Sequence, residues 1–532
     1  MRYPNKLNLK QKIKPNLPTL VQDYLNQNES LSSFYDFAPS LKGLKEAYSK
    51  RSKFPVNREV LVETLLEQAG QSGFATEITN SQILRLRNPK VMTVTTGHQL
   101  CVYGGPMFFM YKILSVIGLS RKLEAEGMEV VPVYWMASED HDFDEINHVH
   151  LKGEKITWNT NQSGAVGSIS IIDLDEFKHH LKHQFSNDYR YDDTLNQLDI
   201  IFNYSKTLSQ AIQDFVYWVF AQEGIVVIDP NVRGLKEEFK RVARSELTDQ
   251  ISSIQLTKSN ESLQEKGYPV QVNGRSINLF WLDDNYRERI EWNGATFETP
   301  DKKNQWELGE LLRLVDNAPE HFSPNVILRP VYQEMILPNL AYIGGPGETS
   351  YWLQLKSVFK AFGVFMPVVL MRDMFLLVND TLDKKIEKLG IEYSDLLKNQ
   401  DWLFTELVKR KGSNEFIIEE IREPISKALQ HAIDQIDEVD VTLSQSAKTE
   451  TVRILKRLNV LQSKLLRSDK RKSEELQQRL QSLFSEVYQN GTPQERLDNW
   501  LNHFQNPKQI IEFLEWIDPL ASDRLKVVSH KA

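Results

Sequence analysis

The stretch "WMASEDHDFDEINHVH", residues 135–150, sets Glu139, Asp140, Asp142, Asp144 and Glu145 around His141, with His148 and His150 close behind. Carboxylates this crowded repel one another, so a chain that keeps them together has a cation, an ammonium group or a proton transfer to manage. Three readings fit. His141 with Asp140, Asp142 or Asp144 offers the mixed imidazole and carboxylate set that divalent metals accept. The same carboxylates suit a substrate ammonium, with one of them or His141 taking a proton from an amine. The third is a solvated loop whose Asp residues cap a helix.

A second candidate is the turn "TTGHQLCVYGGP", residues 95–106. It stands between an apolar run and a helical pattern, where free N–H groups and the positive end of the helix dipole favour an anion. It matches neither G-x-G-x-x-G nor the Walker pattern, and "GGPGETS" at 344–350 lacks the Walker lysine. His98 stands where an imidazole can donate to a phosphate, and four of the 11 histidines fall between 98 and 150. Cys101 reads as a small buried hydrophobe before it reads as a nucleophile. Downstream, Arg329 and Arg372 are candidate clamps for carboxylate or phosphate, because the planar guanidinium presents five donors. Gln333, Glu334 and Glu348 lie beside apolar runs, where a charge is either paired or open to a cleft. Lys112 faces either the site or solvent.

These residues need elements to hold them. "VMTVTTG" (91–97) reads as a short buried strand, Met107 to about Glu126 as a helix punctuated by Gly127, and "MEVVPVYWMAS" (128–138) as a second strand. Strand, helix and strand at this length make a βαβ unit with parallel strands and a right-handed crossover. Both loops then share one sheet edge, and open parallel sheets bind ligands at the carboxyl ends of their strands. Further strand candidates are "GIVVIDP" (224–230) and "SINLFWLDD" (276–284), with a helix around 234–252 between them. A second unit repeats the outline, with "LAYIGGP" (340–346) as strand and turn, 347–363 as helix and "VFMPVVLMR" (364–372) as strand. Residues 1–85 read as a helical cover, and 86–375 as a core with an inserted segment around 151–325. Beyond 375 the composition turns to Lys, Glu, Gln, Leu and Ile. Ile425, Leu429, Ile433, Ile436, Val439 and Leu443, then Leu476, Leu480, Leu483 and Val487, recur at helical spacing. Such seams predict a helical hairpin or coiled coil, followed by C-terminal helices, over 376–532, with dimerisation through the coiled coil.

Composition narrows the classes. A chain of 532 residues suggests two to four domains by the usual domain size. The formal net charge of -8 gives no basic face for nucleic acid. One cysteine rules out an intrachain disulfide framework and any multi-thiolate metal site. With no apolar leader pattern and no long apolar run, a cytoplasmic chain that does not enter a membrane is expected.

Three long segments, "TTGHQLCVYGGPMFFMYK", "VPVYWMASEDHDFDEINHV" and "LRPVYQEMILPNLAYIGGPGETSYWLQLKSVFKAFGVFMPVVLMR", together resemble the bacillithiol biosynthesis cysteine-adding enzymes, the BshC family. The likeness runs in order along essentially the whole chain. It implies an α/β fold: a Rossmann-like parallel-sheet core with inserted connecting segments and a C-terminal α-helical coiled-coil arm that dimerises. It also implies a ligase that adds cysteine to glucosaminyl malate through an amide bond, with ATP activating the carboxyl group and Mg2+ as a possible companion. On that reading the expected catalytic residues are His98, Glu139, His141 and Asp142. The expected substrate contacts are Gly97, Gln99, Asp140, Asp144, Asn147, Arg329, Gln333, Gly347, Glu348, Trp352 and Arg372, and no resident metal is expected. A competing reading is a metal-dependent hydrolase with His141, Asp142 and His148 as ligands. A third is a non-catalytic ligand-binding scaffold.

Overall fold

Every side chain of "VVPVYWM" is buried, which a strand achieves only when both faces of its sheet are covered. The computed structural model describes residues 7–411, 414–472, 474–489, 491–521 and 523–530, and it sets this strand in a wholly parallel five-stranded sheet. Its strands along the chain are β1 (Met92–His98), β2 (Val130–Met136), β3 (Val226–Ile228), β4 (Asn339–Gly344) and β5 (Val368–Met371). Helix α1 (Met107–Ala125) joins β1 to β2, α2 (Leu208–Phe220) precedes β3 and α3 (Arg233–Asp249) follows it. Helix α4 (Leu328–Ile336) leads into β4, and α5 (Pro346–Gln354) leaves it.

The strands lie in the order β5-β4-β1-β2-β3. The chain therefore builds outward in both directions from the seam between β1 and β4, and such a switch point is where doubly wound sheets hold ligands. β1 and β2 are in level register, from Met92 opposite Val130 to His98 opposite Met136. The "TGHQ" turn and the acidic run consequently leave the same edge, as the βαβ pattern predicts.

Period-2 alternation divides the strands between two cores. Val94, Val130, Tyr134 and Ile343 pack with Ile113, Leu114 and Ile117 of α1 on one face. Val131, Val133, Trp135 and Tyr342 pack on the other with Phe239 and Val242 of α3 and with Leu61 and Leu65 of the helix Arg58–Gly70. That N-terminal helix is capped by Asn57, whose side chain accepts from the Val60 N–H.

Three features differ from the sequence pattern. "NLKQKI" (Asn8–Ile13) is a strand in the expected helical cover, because its partner, Leu525–Ser529, comes from the far end of the chain. "SINLFWLDD" contributes Leu279–Asp283 to a separate antiparallel sheet with Tyr286–Arg289 and Phe322–Pro324, because the two-residue turn Asp284–Asn285, with Asn285 at φ 55°, folds it back at once. The helix expected over 347–363 breaks at Leu355, and a second helix, Lys356–Phe362, ends at left-handed Gly363.

The chain divides into two compact units, one of residues up to Leu377 with those from Gln494 onward, the other Val378–Pro493. The second is helical, and its long members Asn414–Val439 and Val441–Lys472 fold back at Asp440 as a hairpin. Leu476, Leu480, Leu483 and Val487 of Glu474–Val487 are buried, as their spacing predicts. Residues beyond 493 do not continue the arm, because strand Leu525–Ser529 completes a three-stranded sheet with Asn8–Ile13 and Met374–Val378 in the first unit. Among the described residues no helix is long and apolar enough to cross a membrane.

Candidate functional site

A cleft of about 550 Å³ opens at the carboxyl ends of β1, β2 and β4. At one part of its wall, Lys112 of α1 reaches back toward β1. Its ammonium donates to the Gly97 carbonyl at 2.8 Å and pairs with Glu348 of α5 at 2.5 Å. Glu348 also accepts from the Gly345 N–H at 2.9 Å and the Tyr342 hydroxyl at 2.6 Å. Burial alone would raise its carboxyl pKa, but the Lys112 ammonium and these donors outweigh it and hold the group below the usual range. Burial lowers the Lys112 pKa, and Glu348 opposes that shift.

His98 closes β1 beside this pair, packed against Phe108 and Phe109. Burial, reinforced by the Lys112 charge, pushes its pKa down to about 3, so the ring is neutral near pH 7. Its Nδ1 lies 2.9 Å from the Gln99 carbonyl. A carbonyl only accepts, which assigns the proton to Nδ1 and leaves Nε2 as the lone-pair nitrogen.

Asp140 and Arg329 of α4 form the other charged part of the wall. Both terminal nitrogens of Arg329 lie 3.4 Å from the same carboxylate oxygen, and Arg287 stands 4.0 Å from the other oxygen. Burial would raise the Asp140 pKa, yet the Arg329 charge, His141 and Arg287 drive it well below the usual carboxylate range. Arg287 is buried, stacked 3.8 Å over the Phe280 ring and bonded to His141 Nδ1 at 2.6 Å. One carboxylate thus faces two guanidinium groups, a local excess of positive charge.

The floor is aromatic, with Trp352 stacked on Tyr342 at 4.2 Å. The indole nitrogens of Trp135 and Trp352 are buried without a hydrogen-bond partner, and so is Nε of Arg372. A Cβ on Gly345 would lie 3.7 Å from that Nε, whereas one on Gly347 would meet open space. The start of α5, which lines the cleft through Gly347 and Glu348, and the Trp135 indole therefore present donors that the protein itself leaves unused. The start of α1 does not. The Met107 N–H donates to the Asp498 carbonyl, the Asn499 side chain binds the carbonyls of Tyr103 and Gly105, and Gly104 is pressed against Phe215 and Trp500. The anion seat expected at residue 107 is covered by the chain's own C-terminal segment.

Residues 3–373 match the family model described as bacillithiol biosynthesis BshC, N-terminal Rossmann-like domain, and residues 375–528 match its C-terminal coiled-coil domain. The chain belongs to the BshC family. Relatives from Cytophaga hutchinsonii (36% identical over 500 residues, 93% of this chain and 94% of theirs) and Flavobacterium johnsoniae (35% over 511, 95% of each) carry the name "Putative cysteine ligase BshC". So does one from Flavobacterium psychrophilum, 36% identical over 489 residues, 90% of this chain and 91% of its own.

In this member of the BshC family the cleft brings together Gly97, His98, Gln99, Asp140, Arg329, Gln333, Gly347, Glu348 and Trp352. Other expected residues lie elsewhere. Glu139 is in a buried ion pair with Lys236 of α3, so it is spent on holding β2 to that helix. His141, Asp142 and Asp144 are exposed outside the cleft lining. Asn147 is buried beside His148, and its carbonyl accepts from the Trp158 N–H. Arg372 is tied by two bonds to Glu495, with only Nε left over. Among the described residues no three His, Cys, Asp or Glu side chains gather as a metal-ligand set, so His141, Asp142 and His148 do not converge.

Sequence reasoning left Lys112 undecided and did not single out Tyr342, Glu145 or Arg287. Glu145 lines the cleft and accepts from Gln99 Nε2 at 2.6 Å. Tyr342 was findable from the period-2 pattern of β4. Arg287 carried no local signal, because its partner His141 lies far away in the chain.

Proposed function

We propose that this chain is a cysteine ligase that joins the carboxyl carbon of L-cysteine to the amine of glucosaminyl malate, completing bacillithiol synthesis. The observation that carries the reading is the single cleft at the β1/β4 switch point, which gathers two opposed charge centres and a neutral His98. The name borne by the relatives supports cysteine as the substrate ligated, and glucosaminyl malate is what the family resemblance implies.

ATP supplies the activation that lets a carboxylate oxygen leave as nitrogen attacks, and Mg2+ would accompany its phosphates. The Gly347 and Glu348 N–H groups at the start of α5 suit phosphate oxygens, as helix starts do. Arg329, sharing Asp140 with Arg287, has charge to spare for a substrate carboxylate. His98 offers its Nε2 lone pair to orient the incoming amine, but a ring with a pKa of about 3 is too weak a base to keep the proton. Glu145, exposed on the cleft wall and steadied by Gln99, is our candidate to take it. The aromatic floor and the burial of Lys112 limit water around the reacting carbon.

The deciding experiment measures ATP consumption by the purified chain with cysteine and glucosaminyl malate, added singly and together, with mass detection of the product. Consumption that requires both, with the amide product appearing, supports the reading. Turnover independent of either substrate would sink it. Arg329→Gln is expected to lower kcat/KM by about 100-fold, the loss of a charge-assisted contact.

We also propose that the hairpin pairs two copies of the chain. Leu443, Ile454, Leu461 and Leu465 are exposed on Val441–Lys472, and apolar residues displayed on one helix face call for a covering surface.

A further inference from the structure

A second cleft, of about 650 Å³, opens at the β2 and β3 side of the sheet edge, walled by helix Arg58–Gly70, the start of α2 and the turn between β3 and α3. Its lining is rich in side-chain amides: Gln68, Gln71, Gln210, Gln213 and Asn231. Asp229 is the fixed point. Its carboxylate accepts from the Ser138 hydroxyl, from the Ser209 hydroxyl at 2.8 Å and from the Asn231 N–H at 3.0 Å. Gln68 brackets the Asp229 backbone, donating to its carbonyl at 2.8 Å and accepting from its N–H at 3.0 Å. The wall is thus built rather than merely exposed.

Gln213, on α2, is only 5% exposed, yet its Nε2 makes no hydrogen bond. The Tyr217 hydroxyl one turn along interacts with this amide only outside hydrogen-bond geometry, and it also accepts the Val227 N–H at 3.2 Å. A buried amide donor without an acceptor is costly, and a ligand oxygen would relieve it. Amides and hydroxyls each both donate and accept, which matches a ligand made of hydroxyl groups. Phosphate offers acceptors alone and favours a cationic wall, whereas here the lining holds one lysine, Lys206, beside the two acidic residues Glu67 and Asp229. No aromatic ring is among the described residues lining the cleft, so a planar base has nothing to stack on.

We infer that this cleft binds a neutral polyhydroxylated molecule of hexose class, held by the side chains of Gln213, Gln210 and Asn231. The site is separate from the ligase cleft and does not depend on the ligase reading. Saturation-transfer NMR on the full chain with D-glucose as the probe tests it, using Gln213→Leu, Asn231→Ala and, as the control in the first cleft, Arg329→Gln. The expected result is saturable D-glucose binding whose Kd rises about tenfold in Gln213→Leu or in half-exposed Asn231→Ala, and stays unchanged in Arg329→Gln. Absence of saturable binding, a Kd unmoved in both cleft variants, loss confined to Arg329→Gln, or displacement of D-glucose by inorganic phosphate would each overturn the proposal.

Discussion

Substituting Asp142 by Asn is expected to leave turnover within about twofold of the parent, while Asp140→Asn lowers it by about tenfold or more through the loss of the charge that holds Arg329. The ligase assay compares the two directly. Their neighbourhood in sequence is complete, and their surroundings are not: Asp140 faces the cleft, and Asp142 faces solvent. His98 gives a pH prediction. Its pKa is about 3 in the fold against an ordinary 6.5, so between those values the unfolded chain binds the extra proton and stability falls as pH drops from about 6.5 toward 3. His148 and His530, also shifted down, add in the same direction. His98→Gln is therefore expected to lose less stability than the parent between pH 7 and pH 5, as read by urea midpoints. The residue types of the site were legible in the sequence, as was its crowding of charge. Which carboxylate met which cation was not, because Arg287, Arg329 and Lys236 arrive from distant segments.

The level ends of β1 and β2 follow from a strand, helix and strand of ordinary length, so the sheet edge that bears the site was readable from apolar pattern alone. The covering of α1 was not readable, since its Met107 N–H is satisfied by the Asp498 carbonyl while Asn499 donates to the carbonyls just before the helix, and no local pattern announces that. The join between β2 and α3 rests on the Glu139 and Lys236 pair, with both side chains out of water. Glu139→Gln strands the lysine and is expected to cost about 3 kcal/mol, read as a lowered urea midpoint at unchanged slope. Glu139→Gln with Lys236→Met should recover most of that loss. If the single variant were as stable as the parent, the pair would be idle.

At the scale of the molecule, the coiled-coil arm was visible as spacing, and the return of the chain to the first unit was not. Glycine-poor, charged sequence runs on past residue 493, while the fold turns back to the first unit at Gln494. Equilibrium sedimentation is expected to give a dimer at micromolar concentration, and Leu443→Glu with Leu461→Glu a monomer, because charges on an apolar contact must be desolvated to dimerise. A parent that stays monomeric would remove the proposed pairing.

The strand Leu525–Ser529 lies between Asn8–Ile13 and Met374–Val378, and the segment just before it covers the start of α1. During synthesis Asn8–Ile13 must therefore wait, unpaired, until residues 525–529 have left the ribosome. A chain interrupted before Gln494 keeps an open strand edge and leaves the Met107 N–H bare, features that invite proteolysis and aggregation. The order of the sequence thus makes the closing of this sheet wait on synthesis through Ser529.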